Sequence, residues 1–242
     1  VNWHERPFVA FDLETTSVDV ETARIVTAAV VTVDPSTGAK DVREWLADPG
    51  IDIPAEATAV HGITTEHARQ HGEPAADVVW AIAGALTRAW LKTHPVVVYN
   101  ASYDLSLLDR EMRRHGLGEL DTAAVIDPLV IDKHYDRFRR GSRKLVDTAR
   151  HYRIELSEQD AHGAAADALA AARVAWRLAR VYPELAGMRL PELHAHQIAW
   201  HAEQAASLQE YFRAKGSDEI VPLEWPLRPV AVSLPEPAGG DQ

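Results

Sequence analysis

The sequence predicts an α/β fold, a mixed five-stranded sheet flanked by helices and followed by a C-terminal helical extension. Three observations carry that expectation. The first three apolar, β-branched runs are separated by turn and loop signals alone, which describes an antiparallel meander. The next two alternate with stretches whose apolar residues recur every three or four positions, the mark of a sheet that interleaves strands with helices. Beyond Tyr182-Pro183 the strand-like runs stop, leaving one long helical pattern and a proline-rich end.

In chain order, Phe8-Val9-Ala10-Phe11 is the first strand and runs into Asp12-Leu13-Glu14-Thr15-Thr16. Ile25 to Val33 is the second, and the turn cluster Asp34-Pro35-Ser36-Thr37-Gly38 leads to a third over Arg43 to Ala47. Pro49, Gly50 and Pro54 mark irregular chain, after which Thr64 or Thr65 is placed to cap a short helix. Pro74 opens a longer helix with Val79, Ile82 and Leu86 on one face. Pro95 to Tyr99 is the fourth strand, and Asn100-Ala101-Ser102 turns it into a helix with Leu105, Leu108 and Met112 inward and Gly116 as its stop. Ala123 to Ile126 is the fifth strand, closed by Asp127-Pro128. Helical patterns follow around Leu129 to Asp136, Leu145 to His151, and an alanine-rich run from about Ala164 to Ala179. Leu190 to Ala214 reads as a further helix with Ile198, Ala202 and Ala205 on one side, and the five prolines between Pro222 and Gln242 predict extended or disordered chain. The expected division is residues 1–182 as one domain and residues 183–242 as a helical extension with a Pro-rich tail.

The bulk composition bounds the function. With 242 residues, 46% of them hydrophobic, the chain can bury a substantial core. A net charge of −11 and a pI near 5.5 argue against a protein that coats nucleic acid by charge, which takes many Lys and Arg contacts to phosphate. An enzyme that grips a strand end through metal ions is not excluded. Cysteine is absent, which removes disulfide frameworks and thiolate chemistry. No charged-then-apolar leader opens the sequence and no apolar run approaches the ~18 residues of a membrane span, so a soluble cytoplasmic protein with no membrane partner is expected.

Within this frame the acids at strand and helix ends stand out. Read as a strand, the first element puts Asp12 and Glu14 on one face, because strand side chains alternate with period two. Acidic residues are depleted in strands. Two readings are open on this stretch alone: a strand leaving into solvent at Asp12, or a pair of carboxylates holding a hard cation such as Mg²⁺ or Mn²⁺. Asp104 falls in the first turn of the helix after Asn100, and Asp167 lies near the start of the alanine-rich helix. Each alone could serve a helix N-terminus. Four such acids together favour the metal.

Three stretches then carry a resemblance: Phe11-Asp12-Leu13-Glu14-Thr15-Thr16, Tyr99-Asn100-Ala101-Ser102-Tyr103-Asp104 and His162-Gly163-Ala164-Ala165-Ala166-Asp167. In order and separation they resemble the three motifs of the DEDDh (DnaQ-like) 3′–5′ exonucleases, and Val60-His61-Gly62-Ile63-Thr64 is similar to a further loop of that family. The branch most similar in pattern is that of the epsilon proofreading subunits of bacterial DNA polymerase III, and the resemblance covers roughly residues 6–180.

The resemblance implies a ribonuclease H-like fold and a metal-dependent 3′–5′ exonuclease. Such an enzyme releases nucleoside 5′-monophosphates from DNA 3′ ends, single-stranded by preference, in proofreading or repair. RNA trimming and a non-catalytic polymerase-associated binding module are the alternatives. It also implies two divalent ions, Mg²⁺ or Mn²⁺, with Asp12, Glu14 and Asp167 holding the first, Asp12 bridging to the second and Asp104 acting mostly through water. His162 would be the general base, and Leu13, Thr15, Thr16, His61, Ile63 and Asn100 would lie beside the terminal nucleotide. Five helical residues turn through about 500°, so His162 and Asp167 cannot share a helix face; Gly163 resolves this if His162 sits in the preceding loop, where it would be the most mobile of the five. The basic run Arg137 to Lys144 is read either as a guide for the phosphate backbone or as a solvated loop. A DNA polymerase subunit is the partner the resemblance suggests, and homodimerisation is open.

Overall fold

The computed structural model describes residues 2–156 and 163–230. Its centre is a six-stranded sheet in the order β4-β3-β2-β1-β5-β6. The strands are β1 (Phe8–Thr15), β2 (Ile25–Asp34), β3 (Ala39–Asp48), β4 (Glu73–Pro74), β5 (Val96–Val97) and β6 (Val125–Ile126). The meander β1-β2-β3 is antiparallel, while β5 runs parallel to β1, β6 to β5 and β4 to β3. Five strands were expected, and β4 corrects the count to six. Glu73 and Pro74 lie beside Ala47 and Asp48, and Pro74 is at once the end of that edge strand and the N-cap of α3 (Ala75–Leu91). Proline lacks the N–H that an inner strand would need, so it is tolerated at an edge.

Phe8, Val9, Ala10 and Phe11 are all buried, as a strand paired on both sides and covered by helices requires. Helix α7 (Ala164–Val181) packs against β1 and β2, and its buried Ala168, Ala171, Ala172 and Ala175 are small enough to let the helix approach closely. Helix α3 buries Val79, Ile82 and Leu86 and packs against α4 (Ala101–Arg114). Two short helices, α1 (Ala55–His61) and α2 (Thr65–His71), follow the meander, and Thr64 caps α2 by accepting from the His67 N–H at 3.1 Å. The remaining helices are α5 (Pro128–Tyr135), α6 (Leu145–His151), α8 (Pro183–Gly187) and α9 (Leu190–Ala214).

The passage from β5 to α4 is made by Asn100 at φ 65°, a left-handed conformation that asparagine tolerates better than most residues. The backbone N–H groups of Asn100 and Ala101 donate to the Asp127 carboxylate at 3.0 and 2.9 Å. Asp127, 1% exposed, also caps α5 by accepting from Leu129 N–H at 2.9 Å. One buried side chain therefore ties the start of two helices together.

Helix α9 differs from its sequence pattern. Leu193, Gln197, Trp200 and Ala205 are buried, whereas Ile198 is 42% exposed. The reason is the open edge of β6. Gln197 accepts from the Asp127 N–H at 2.7 Å and donates to the Val125 carbonyl at 2.9 Å, and His194 Nδ1 accepts from the Val125 N–H at 3.2 Å. Polar side chains thus satisfy edge-strand groups that a neighbouring strand would otherwise pair. The described residues beyond Gly216 form no regular element, and where extended or disordered chain was expected from Pro222 onward the part up to Val230 is packed: Trp225 is buried in the main core and the Arg228 N–H donates to Ser106 Oγ at 2.7 Å. The rest of that expectation lies outside the described residues. Among the described residues no helix is long and apolar enough to cross a membrane.

Removing the Asp127 carboxylate strands one buried N–H group, that of Ala101, and two partly buried ones, those of Asn100 and Leu129, and a buried group left unsatisfied costs about 1–3 kcal/mol. Asp127→Ala is therefore expected to destabilise the fold by roughly 3–5 kcal/mol, read as a lower urea midpoint at unchanged slope. Asp127→Asn, which keeps an acceptor oxygen, should lose less.

Candidate active site

The site lies where β1, α4 and α7 meet. Asp12 and Glu14 project from one face of β1, and Asp167 stands in the first turn of α7. One carboxylate oxygen from each of these three lies within 4.8 Å of the others. The fourth acid, Asp104, is buried in the first turn of α4, where its Oδ1 accepts from the Leu13 N–H at 3.1 Å. That bond fastens α4 to the stretch of β1 that carries both acids. The β1–β2 register slips between Glu14 and Thr15, ending regular pairing just beyond the acids.

The electrostatics are those of crowded carboxyls. Burial, then the neighbouring Asp104, Asp167 and Glu14, raise the Asp12 carboxyl well above the ordinary range. Asp104 is likewise raised, first by burial, although its Leu13 hydrogen bond pulls the other way. Burial and the nearby Asp167 push Glu14 up to about 7. Among the described residues no Lys or Arg forms an ion pair with Asp12, Glu14 or Asp104. Three hard oxygen donors in reach of one another, beside a fourth, fit a hard divalent cation.

A cleft of about 510 Å³ opens over these acids and is lined also by Leu13, Asn100 and Tyr103. Lys133, Arg143 and Lys144 bring positive charge to its walls. The Thr15 hydroxyl lies 2.6 Å from Tyr103 Oη and 2.9 Å from the Ser17 carbonyl, a triangle that fixes the end of β1. Thr16 is buried and turned away, its Oγ1 accepting from the Arg24 N–H at 2.9 Å. His61 is buried with Nδ1 accepting from the Ile63 N–H at 3.1 Å, and Ile63 packs on a small second core of Val26, Ile53 and Ala68. Thr15, Thr16, His61 and Ile63 are not among the residues lining the cleft. His162, together with the loop position expected for it, lies outside the described residues.

The basic run divides. Arg139 and Arg143 turn inward and both hydrogen-bond the buried Asp132, which also accepts from Tyr152 Oη at 2.9 Å. These two arginines fold their own loop, whereas Lys144 is exposed at the cleft. Tyr103, Lys133 and Asp127 were not singled out from the sequence as site residues. Tyr103 could have been, as the residue immediately before Asp104; nothing in the local pattern marks the other two.

The comparisons with known proteins bear on the family and the fold. The family model for exonucleases (RNase T) matches residues 9–175. The PolC-type DNA polymerase III of Streptococcus pyogenes serotype M18 is 26% identical over 208 residues, which is 85% of this chain and 13% of that polymerase. The serotype M2 counterpart is 28% identical over 138 residues, 57% of this chain and 9% of the other. Among solved structures, E. coli exonuclease I in complex with a dT13 oligonucleotide superposes with a TM-score of 0.61 at 20% identity, covering 74% of this chain and 43% of that one. A full-length 3′-exonuclease gives 0.60 at 14% identity, covering 75% and 62%. The chain thus spans a small part of the polymerases and less than half of exonuclease I, and these structural likenesses speak for the fold. The family match runs from inside β1 into α7 and takes in all three stretches that carry the acids, and by it the protein belongs to the DnaQ-like exonuclease family.

Proposed function

We propose that the protein is a metal-dependent 3′–5′ exonuclease that hydrolyses phosphodiester bonds at DNA 3′ ends, preferring single strands, and releases nucleoside 5′-monophosphates. The observation that carries this reading is the convergence of Asp12, Glu14 and Asp167 within 4.8 Å, with Asp104 beside them, in a chain of the exonuclease family. DNA is favoured as substrate by the DNA polymerases among its relatives and by the oligodeoxynucleotide held by exonuclease I. The same relatives favour a proofreading or repair role, alone or beside a polymerase.

Asp12, Glu14 and Asp167 would hold divalent ions, with Asp104 assisting from α4. Bound there, such ions neutralise charge on the phosphate and lower the pKa of an attacking water. The chain's own part is positional. Leu13 gives its N–H to Asp104, which fixes the backbone beside the cleft, while its side chain is buried in the main core. The left-handed turn at Asn100 sets the start of α4 and with it the height of Asp104. Lys144 offers an exposed cation to the phosphate. His162, five residues before Asp167, would take the proton from the attacking water, since imidazole titrates near neutral pH.

Digestion of a 5′-labelled single-stranded DNA tests the reading. A ladder shortening from the 3′ end is expected with Mg²⁺ or Mn²⁺ and should vanish with chelator. Asp12→Ala and Asp104→Ala should each slow it by roughly 10³-fold, the rate equivalent of several kcal/mol of lost charge stabilisation. Absence of cleavage on both DNA and a matched RNA would sink the enzyme reading; faster cleavage of the RNA would move it to an exoribonuclease.

The raised carboxyls give a second expectation. Glu14 moves from an ordinary value of 4.5 to about 7, so between those pH values the metal-free folded chain binds more protons than the unfolded one. Its stability from this group falls as pH rises through that window. A divalent ion that binds the ionised carboxylates reverses the loss. Mn²⁺ should therefore raise Tm more at pH 8 than at pH 5.5, and Asp12→Asn should abolish most of the difference in a thermal melt.

A further inference from the structure

The cleft over the acids is not the larger concavity of the molecule. A second one, of about 730 Å³, opens between α5, α9 and the segment 219–228. The two adjoin, since Asn100, Leu129, Lys133 and Arg143 line both.

Two half-buried cations stand along this passage without an ion pair among the described residues. Lys133 is half-buried at the border itself. Arg228, also half-buried, reaches the border from the C-terminal segment, its guanidinium 6.0 Å from the centre of the Tyr103 ring. Burial pushes both groups down from their ordinary values, against the pull of Asp127 on Lys133 and of Tyr103 and Asp104 on Arg228. Other sheltered arginines of the fold contrast with these two: Arg110, Arg139 and Arg143 all contact carboxylates. A cation held partly out of water with no counter-ion costs free energy, and an anionic ligand offsets that cost.

The wall from α9 adds Tyr211, which is 56% exposed, and the half-buried Phe212, side chains with π-faces on which bases can stack. Glu203, Glu219 and Glu224 also line the groove, but all three are exposed and hydrated, and salt screens such charges far more than it screens the sheltered cations. A strand whose 3′ end lies over Asp12 must leave the cleft by some route, and the passage at Lys133 is the one that leads into a further cavity.

Resting on the exonuclease reading above, we propose that this second groove holds the nucleotides preceding the 3′-terminal one of a single-stranded DNA, with Lys133 and Arg228 contacting successive backbone phosphates. Arg228 and α9 lie outside the residues 9–175 matched by the family model, so this grip belongs to the chain's own C-terminal segment.

The experiment compares kcat/KM on a dodecathymidylate with kcat/KM on the p-nitrophenyl ester of thymidine 5′-monophosphate, which has no upstream nucleotide to fill the groove. Lys133→Gln and Arg228→Gln are each expected to lower the ratio of the two values by roughly tenfold, the usual scale of one charge-assisted hydrogen bond. Arg228→Lys, which keeps the charge, should restore most of it. The salt dependence of kcat/KM on the long substrate should become shallower in both Gln variants, by roughly 0.7 in logarithmic slope for each lost phosphate contact. Equal losses on the two substrates, with the salt slope unmoved, would overturn the groove assignment while leaving the exonuclease reading intact. A wild-type protein that hydrolyses neither substrate would overturn both.

Discussion

The structure depends on the buried carboxylate of Asp127. Its oxygens receive the N–H groups of Asn100, Ala101 and Leu129, and its own N–H is taken by Gln197. The turn after β5, the starts of α4 and α5 and the docking of α9 are therefore fixed by one residue. Burial alone would push that carboxyl up; the backbone donors work against the push by stabilising its charged form. The consequence reaches the active site, because the start of α4 carries Asp104 and Asp104 in turn holds β1 at Leu13. A non-catalytic acid thus sets the place of a catalytic candidate.

The site acids show the opposite economy. Asp127 is surrounded by donors, whereas Asp12, Glu14 and Asp104 face one another and are raised by burial and mutual repulsion. The fold holds them together in spite of that repulsion, since β1 is pinned in the middle of the sheet and α7 is seated closely on it through small alanine side chains. A rigid scaffold that keeps unfavourable charges close is preorganised for a hard cation, whose binding relieves the strain that folding imposed. The net charge of −11 also acquires a local meaning: the chain is acidic as a whole, yet it places Lys133, Arg143, Lys144 and Arg228 around the cleft and its continuation.

The helices show why amphipathic pattern fell short where polar residues were buried. Helix α4 hides Ser106, Asp109, Arg110 and Glu111 as well as the expected Leu105, Leu108 and Met112. Two of those polar groups have partners outside the helix: Arg110 donates to the carbonyls of Arg228 and Pro229 and pairs with Glu21, and Asp109 accepts from the Leu120 N–H at 3.0 Å. Helix α9 likewise turns Gln197 inward and Ile198 outward, because the unpaired edge of β6 needs hydrogen bonds more than it needs a methyl surface. Counting apolar residues cannot detect either case.

The sequence by itself determined the five principal strands, the main helices and the shared face of Asp12 and Glu14, because periods of two and 3.6 and the turn residues at Asp34 to Gly38, Asn100 and Gly116 are local properties of the chain. Its motifs also carried the family, since the order of the three acidic stretches survives in the linear text. Tertiary structure alone decided that Thr16 faces Arg24 and Arg139 faces Asp132, and that the proline-rich segment packs Trp225 into the core and sets Arg228 beside Tyr103. Each of these joins residues far apart along the chain or chooses between a buried and a solvated polar side chain. Such choices are made by hydrogen-bond satisfaction and desolvation in the packed protein, and no local periodicity encodes them.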